Sequence, residues 1–260
     1  MDRLTEQRLR KLEKQEAKWL AAKENRAVRN TIEKIETKIP QGIREKLEAA
    51  FYQAFQLVFS KGTKIIERTY DKEKLKAEHE ILNYTYNKNR KRKALGAMRR
   101  GSDLSAAGNL GIAALEGTVL GAMGIGLPDI PVFITVLLKG IYQVALDYGF
   151  SYETKQEQLF ILAMIEAALS HKEEREARDQ KVNRIMDEID SGLLSDIDPE
   201  KQMRDTADTL AMEMLCIKFI QGAPVVGAVA GLSNAVYFQK IIGYVKLKYQ
   251  KRYLLGKSGK

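Results

Sequence analysis

The chain has 260 residues, of which 45% are hydrophobic and 30% are charged, so the composition excludes wholesale disorder and permits a large buried core. Its net charge of +9 favours anionic partners: membrane lipid, nucleic acid or an acidic protein surface. The single cysteine, Cys216, excludes an intramolecular disulfide and a cysteine metal cluster, and the charged N-terminal segment lacks the apolar run of a secretory signal.

The N-terminal part of the chain reads as consecutive helices. Residues 2–24 carry an interrupted leucine stripe with Trp19, and a second helix is expected over 25–39, before Pro40. Residues 41–60 place apolar side chains at steps of three and four, and Gly62 permits a helix end or a turn after them. Residues 71–87 predict a further helix.

A dense run of cations follows, because seven of the thirteen residues from Lys88 to Arg100 are Lys or Arg. Clusters of this kind beside an apolar segment attract anionic lipid. We therefore expect the run to contact anionic lipid or another anionic partner through five cations: Lys88, Arg90, Lys91, Arg92 and Lys93.

The C-terminal half is also predicted to be helical. We expect helices over 132–148, after a capping box at Thr154–Glu157, over 200–220 and over 232–253. The last helix ends in mixed aromatic and basic residues, which favour a membrane interface, and its predicted anion-binding residues are Lys246, Lys248, Lys251 and Arg252. No convincing strand occurs, so the fold class is all-α: a single multi-helix domain of roughly eight to ten helices.

Two nearly uncharged, glycine-rich apolar helical segments, 104–138 and 214–238, interrupt this pattern. Small residues four positions apart let helices approach closely, a device common in bilayers. We rank a buried helical hairpin first, peripheral membrane association second and spanning helices third, since Asp129 would be costly at a bilayer centre. The predicted packing glycines are Gly117, Gly121, Gly124, Gly126, Gly227 and Gly231.

Recognisable catalytic motifs are missing from the sequence. His79 and His171 lack ligand spacing and are expected to be solvent-exposed, Cys216 is expected to be buried, and no phosphate-binding loop occurs. We predict no metal, no cofactor and no enzymatic activity. The alternative is a hydrolase with an unrecognised site at the glycine-rich centre, where the polar residues are Glu116, Asp129 and Asn234.

Nucleic-acid binding is the third class considered. The run from Lys88 to Arg100 could follow a phosphate backbone. No recognition-helix motif or aromatic stacking platform accompanies it, so nucleic acid is the disfavoured partner.

Several segments together resemble the EcsC family, a group of helical proteins of undefined activity. The similarity extends over nearly the whole chain, and the last of its segments is the most specific. They are Trp19 with K-I-P at 38–40; the A-F-x-x-x-F-x-L-V-F-S-K-G segment at 50–62; 126–138 with Y-G at 148–149; E-x-x-F-I-L at 157–162; and A-P-V-V-G-A-V-A-G-L-S-N-A-V-Y-F at 223–238.

The resemblance implies an EcsC-like helical domain over 41–255, preceded by an N-terminal helical extension over 1–40. The family name implies a link to an ATP-binding-cassette transporter or secretion system, as an accessory rather than as the ATP-hydrolysing part. We therefore expect a non-enzymatic, cytoplasmic protein peripheral to the membrane, with anionic lipid and a transporter complex as partners. The sequence leaves the oligomeric state open.

Overall fold

A computed structural model describes residues 2–22, 37, 39–88, 91–103, 129–220 and 228–258, with the backbone alone for 129, 217–220 and 228–235. Its helices are numbered α1 to α10 in chain order. They are α1 (Arg3–Leu20), α2 (Gln41–Leu57), α3 (Thr63–Glu67), α4 (Lys72–Asn87), α5 (91–103), α6 (Asp129–Asp147), α7 (Lys155–Leu169), α8 (Lys172–Asp190), α9 (Pro199–Ile220) and α10 (Ala228–Lys257).

The all-α prediction is confirmed, since the described residues contain helices and connecting turns but no strand. Gly62 permits a helix end or a turn, but the helix does not end there. A π-helical turn, Val58–Gly62, joins α2 to α3, so the helix continues through the glycine. Residues 91–100 of the basic run lie in a helix, α5, which is not among the helices predicted from the sequence. The predicted helix over 25–39 lies almost entirely outside the described residues.

Helix α7 lies at the centre of the core. Every residue from Leu159 to Leu169 is buried, which is typical of a helix that is apolar on nearly all sides, and α7 packs against α8, α9 and α10. Thr154 caps it by accepting a bond from the Glu157 N–H at 3.1 Å. The Glu157 carboxylate, however, accepts from Arg252 and Tyr249 of α10, so the cap is joined to a long-range ion pair.

Helix α6 forms a second part of the core and contacts α2, α4 and α10. Within the described part of the chain it is the one helix long and apolar enough to cross a membrane, over Ile130–Asp147, and 72% of that stretch is buried inside the protein. Burial of this extent is typical of a core helix in a globular fold. Helix α6 ends just before Gly149, whose φ of 81° is accessible to glycine at little cost.

Helix α1 is packed into the same body. Its Leu9 and Leu12 are buried, and it contacts α10 and α8. The predicted boundary between an extension (1–40) and a main domain (41–255) remains a prediction, but α1 shares its core with the C-terminal helices. This packing brings the N-terminal cations of α1 beside α5.

Candidate anion-binding site

A basic groove lies between α1 and α5. It encloses about 450 Å³ and includes Leu4, Gln7, Arg8 and Lys11 of α1. The facing residues of α5 are Arg92, Leu95, Gly96 and Arg99. Both sets follow the i, i+3, i+4, i+7 spacing that places side chains on one face of a helix. We call this site the basic groove.

The charge in the basic groove is one-sided. Four of its residues, Arg8, Lys11, Arg92 and Arg99, are cations, and no acidic side chain lines it. Among the described residues, Lys11, Arg92 and Arg99 take part in no ion pair. An uncompensated concentration of positive charge in a concave site attracts anions and focuses their approach.

The cations of the basic groove repel one another, and the effect is visible at Arg8. Arg8 is half-buried, and burial together with the charge of Arg99 lowers the pKa of its guanidinium below the usual value. Its Nη2 donates to the Gln250 side-chain oxygen at 3.1 Å, a neutral acceptor that leaves the positive charge unbalanced. A bound anion would relieve the repulsion between the two guanidinium groups.

A polar junction holds the two walls of the groove in place. Asp2 caps α1 by accepting from the backbone N–H groups of Leu4 and Thr5, and it also pairs with Lys91 of α5 at 2.7 Å. Bonds from Lys91 and Thr5 hold the pKa of Asp2 far below its usual range. Thr5 contacts the Tyr86 hydroxyl on α4, so α1, α4 and α5 meet here.

The predicted cations of the first basic run therefore have different roles. Arg92 lines the groove, Lys93 is exposed beside it, and Lys88 is exposed with its ammonium 5.5 Å from the centre of the Tyr84 ring. Lys91 is instead engaged by Asp2 and stacks over Tyr86. Arg90 lies outside the described residues.

The prediction that the C-terminal cations bind a surface anion is corrected by the structure. Lys248 is fully buried, where it pairs with Glu16 of α1 and, at 2.7 Å, with Asp179 of α8. Lys251 pairs with the same Glu16 at 2.6 Å, and Lys246 pairs with Asp103 of α5. These lysines join α10 to α1, α5 and α8 through ion pairs, so their charges are already compensated within the protein.

Arg252 is likewise internal. It is buried between the rings of Phe150 and Phe160, and it pairs with Glu157 and with Asp190, the latter at 2.7 Å. On a helix, residues 245, 248, 249 and 252 share one face, so the apparent mixture of basic and aromatic residues is one buried face. Buried charges are retained only where they are paired.

Trp19 also attaches α1 to the neighbouring helices α8 and α10. The Trp19 ring packs on Tyr244 with 4.5 Å between centroids, and the Arg175 guanidinium lies 5.3 Å from the Trp19 ring centre. Arg175 donates to the Trp19 backbone oxygen at 3.1 Å, which satisfies a carbonyl at the end of α1. Tyr244 donates to Asp179 at 2.6 Å, and burial raises its pKa well above the usual value.

A larger groove, about 640 Å³, lies between α2 and α9, and its lining combines two arginines with four carboxylates. Arg44 makes a two-pronged ion pair with Asp208, at 2.7 and 2.6 Å, and Arg204 stacks on the Tyr52 ring. Glu45, Glu48 and Asp205 complete a mixed lining. Its volume exceeds that of the basic groove, but its excess of carboxylates does not favour an anionic ligand.

The glycine prediction falls largely outside the described residues. Gly117, Gly121, Gly124, Gly126, Gly227 and Glu116 all lie there. Asp129 begins α6, and Gly231 and Asn234 lie in α10, with backbone alone described for all three. Close packing at glycine does occur elsewhere: a Cβ on Gly140 of α6 would lie 2.9 Å from Phe238 of α10.

The prediction of a solvent-exposed histidine is corrected for His79, whereas the prediction of a buried cysteine is confirmed. His79 is partly buried, with Nδ1 3.0 Å from the Asp147 carbonyl, and burial lowers its pKa. His171 is 40% exposed and lies 3.3 Å from Glu213. Cys216 is buried. No group of three or more His, Cys, Asp or Glu side chains suited to a metal ion occurs within the described ranges.

Sequence reasoning missed Arg8, Lys11 and Arg99 as members of one site. The available signal was their helical spacing relative to Leu4 and Leu95, but nothing in the sequence indicated that the two faces meet.

The chain matches a known protein family over nearly its whole length. The model of the EcsC protein family matches residues 4–254, so the matched region covers nearly all of α1 and α10 and the whole of α5. No curated protein and no solved structure matches the chain.

Proposed function

This chain belongs to the EcsC protein family, and we propose that it is a non-enzymatic accessory protein that binds the anionic cytoplasmic surface of a membrane through its basic groove. The observation that carries the proposal is the uncompensated charge of Arg8, Lys11, Arg92 and Arg99 in one concave site. The partner implied by the family name is an ATP-binding-cassette transporter or secretion system.

Exposed apolar residues favour a membrane over nucleic acid as the anionic partner. Ile81 and Tyr84 are 65% and 64% exposed on α4, and they share a helix face with Lys88 at steps of three and four residues. Tyrosine beside lysine is typical of the water–lipid interface. Tyr86, near the end of α4, contacts Thr5 of α1, so the helix that carries these apolar residues adjoins a helix that forms one wall of the groove.

The internal pairing of the remaining buried charges is consistent with a binding role. Glu166 accepts from Arg178 at 2.6 Å and from Gln202 at 2.7 Å, and Glu16 and Asp179 are held by Lys248. Carboxylates engaged in this way are poorly placed to act as a general acid or base. The alternative hydrolase would need Glu116, Asp129 and Asn234, whose side chains are not described.

Sedimentation with vesicles tests the proposal. The protein is mixed with neutral phosphatidylcholine vesicles and with vesicles that also contain phosphatidylglycerol, across a series of salt concentrations, and a parallel series uses duplex DNA. We expect binding to the anionic vesicles alone, weakening as salt rises, and weaker binding to DNA. Equal and negligible binding to both vesicles, or tighter binding to DNA, would overturn the proposal.

A further inference from the structure

Resting on the proposed function, we propose that the basic groove selects a phosphomonoester headgroup of a membrane lipid over a phosphodiester one. The lipid would be of the phosphatidic acid type, with its terminal phosphate held between α1 and α5. General attraction of a basic surface to anionic lipid needs no such site; the groove adds a preference among headgroups.

Charge is the first reason. The groove holds four cations and no acidic lining residue, and the half-buried Arg8 is repelled by Arg99. A phosphomonoester carries about −1.5 to −2 charges near neutral pH, whereas a phosphodiester carries about −1. The doubly charged group therefore removes more of the repulsion inside the groove.

Donor geometry is the second reason. A phosphomonoester presents three terminal oxygens as acceptors. Arginine forks bind such groups with paired hydrogen bonds, and lysine adds a point charge. Arg8, Arg92 and Arg99 supply three forks, while Gln7 adds an uncharged amide donor at the same wall.

Shape is the third reason. The groove volume of about 450 Å³ falls within the range of about 300–1,000 Å³ seen for small-molecule sites. Leu4 is partly exposed and adds apolar surface beside the cations, which suits a headgroup followed by ester-linked chains. Gly96 has no side chain, so space beside α5 stays open to a ligand. A Cβ at this position would lie within 4 Å of the Arg100 guanidinium alone, at 3.6 Å.

Gly96 also provides a test that leaves every charge in place. Gly96→Leu projects a side chain into the groove without altering net charge, and leucine is the better helix former. The matched control is Gly243→Leu on α10, where the glycine is exposed and a Cβ would meet nothing within 4 Å. Thermal unfolding of both variants without lipid checks that each remains folded.

The three proteins are titrated with vesicles containing phosphatidic acid and with vesicles containing phosphatidylglycerol, matched in surface charge. We expect the wild type and Gly243→Leu to bind phosphatidic acid about tenfold more tightly, the effect of one charge-assisted contact. Gly96→Leu should bind both vesicles alike, at the level of the weaker one.

The outcomes separate the two proposals. Equal binding of the wild type to both anionic vesicles overturns headgroup selection and leaves membrane binding intact, as does a preference that survives in Gly96→Leu. If no vesicle is bound, both proposals fail. A further experiment measures the thermal unfolding of the wild type and of Gly96→Leu with soluble glycerol 3-phosphate. If this compound stabilises the wild type but not Gly96→Leu, and no vesicle is bound, the groove binds a soluble phosphomonoester and the lipid assignment is overturned.

Discussion

Lys248 is fully buried in α10 and donates to the carboxylate of Glu16 on α1, 232 residues earlier in the chain. The same ammonium lies 2.7 Å from Asp179 on α8, so a single cation joins three helices. Because α1 forms one wall of the basic groove, this buried network positions half of the candidate site.

Loss of the buried ammonium should be strongly destabilising. We expect Lys248→Met to lower the free energy of unfolding by about 3–5 kcal/mol, because Glu16 and Asp179 would remain in the core with less compensation. Urea unfolding followed by circular dichroism measures the change. Arg10→Ala, which removes only an exposed pair with Glu6, is the control and should leave the midpoint unchanged. Similar midpoints for both variants would contradict the structural role of Lys248.

The stability contributed by Glu16 should depend on pH in one direction. Burial alone would raise the pKa of Glu16, but Lys248 and Lys251 outweigh it and hold the pKa below its usual value. A depressed pKa in the folded state stabilises the fold above the unfolded-state pKa of about 4.3, and this contribution is lost as pH falls. The advantage of the wild type over Glu16→Gln should therefore shrink on acidification below about pH 4. An advantage that grows under acid would refute this assignment.

Two glycines in helices should respond oppositely to the same substitution. Gly140→Ala places a Cβ 2.9 Å from Phe238 and 3.1 Å from Ile242, and overpacking of this kind costs about 1–3 kcal/mol. Gly243→Ala meets nothing within 4 Å and should stabilise the exposed face of α10 by about 0.5–1 kcal/mol. Thermal and urea unfolding of the two variants measure whether each substitution lowers or raises stability. Equal effects would mean that α6 and α10 do not approach closely at Gly140.

The helical fold could be read from the sequence because it rests on local signals. Periodic apolar residues, Thr154 at a helix start and Gly149 after a helix end act over a few residues, and the structure agrees with each. The continuation of the helix through Gly62 could not be read in this way, because a glycine permits a helix end without requiring one.

The candidate site could be predicted only in part. The basic run was visible and supplied Arg92, but Arg8 comes from a helix 84 residues away in sequence, and only tertiary packing brings the two together. Lys248 was assigned to the surface because its partners, Glu16 and Asp179, are distant in sequence. Charge runs are local patterns, whereas charge compensation depends on the whole fold.

The exposed apolar face of α4 should strengthen membrane binding without contributing to stability. We expect Ile81→Ser with Tyr84→Ser to leave thermal unfolding nearly unchanged and to weaken binding to phosphatidylglycerol vesicles, most clearly at high salt, where charge is screened. Leu193→Ser with Leu194→Ser is the matched control, since these leucines are 60% and 82% exposed in the turn between α8 and α9. If both pairs reduce binding equally, α4 is not the membrane-facing element.

The central claim is that the basic groove, rather than net charge alone, brings this protein to the membrane. Its most direct test is fractionation of cells that express the wild type or one of two variants, each lacking four positive charges. The groove variant carries Arg8→Gln, Lys11→Gln, Arg92→Gln and Arg99→Gln, and the control carries Lys64→Gln, Lys74→Gln, Lys155→Gln and Lys201→Gln at exposed positions outside the groove. We predict that the wild type and the control sediment with membranes and are released by a high-salt wash, whereas the groove variant remains in the soluble pool. A wild type found wholly in the soluble pool at low ionic strength, or two variants that partition alike, would contradict the claim.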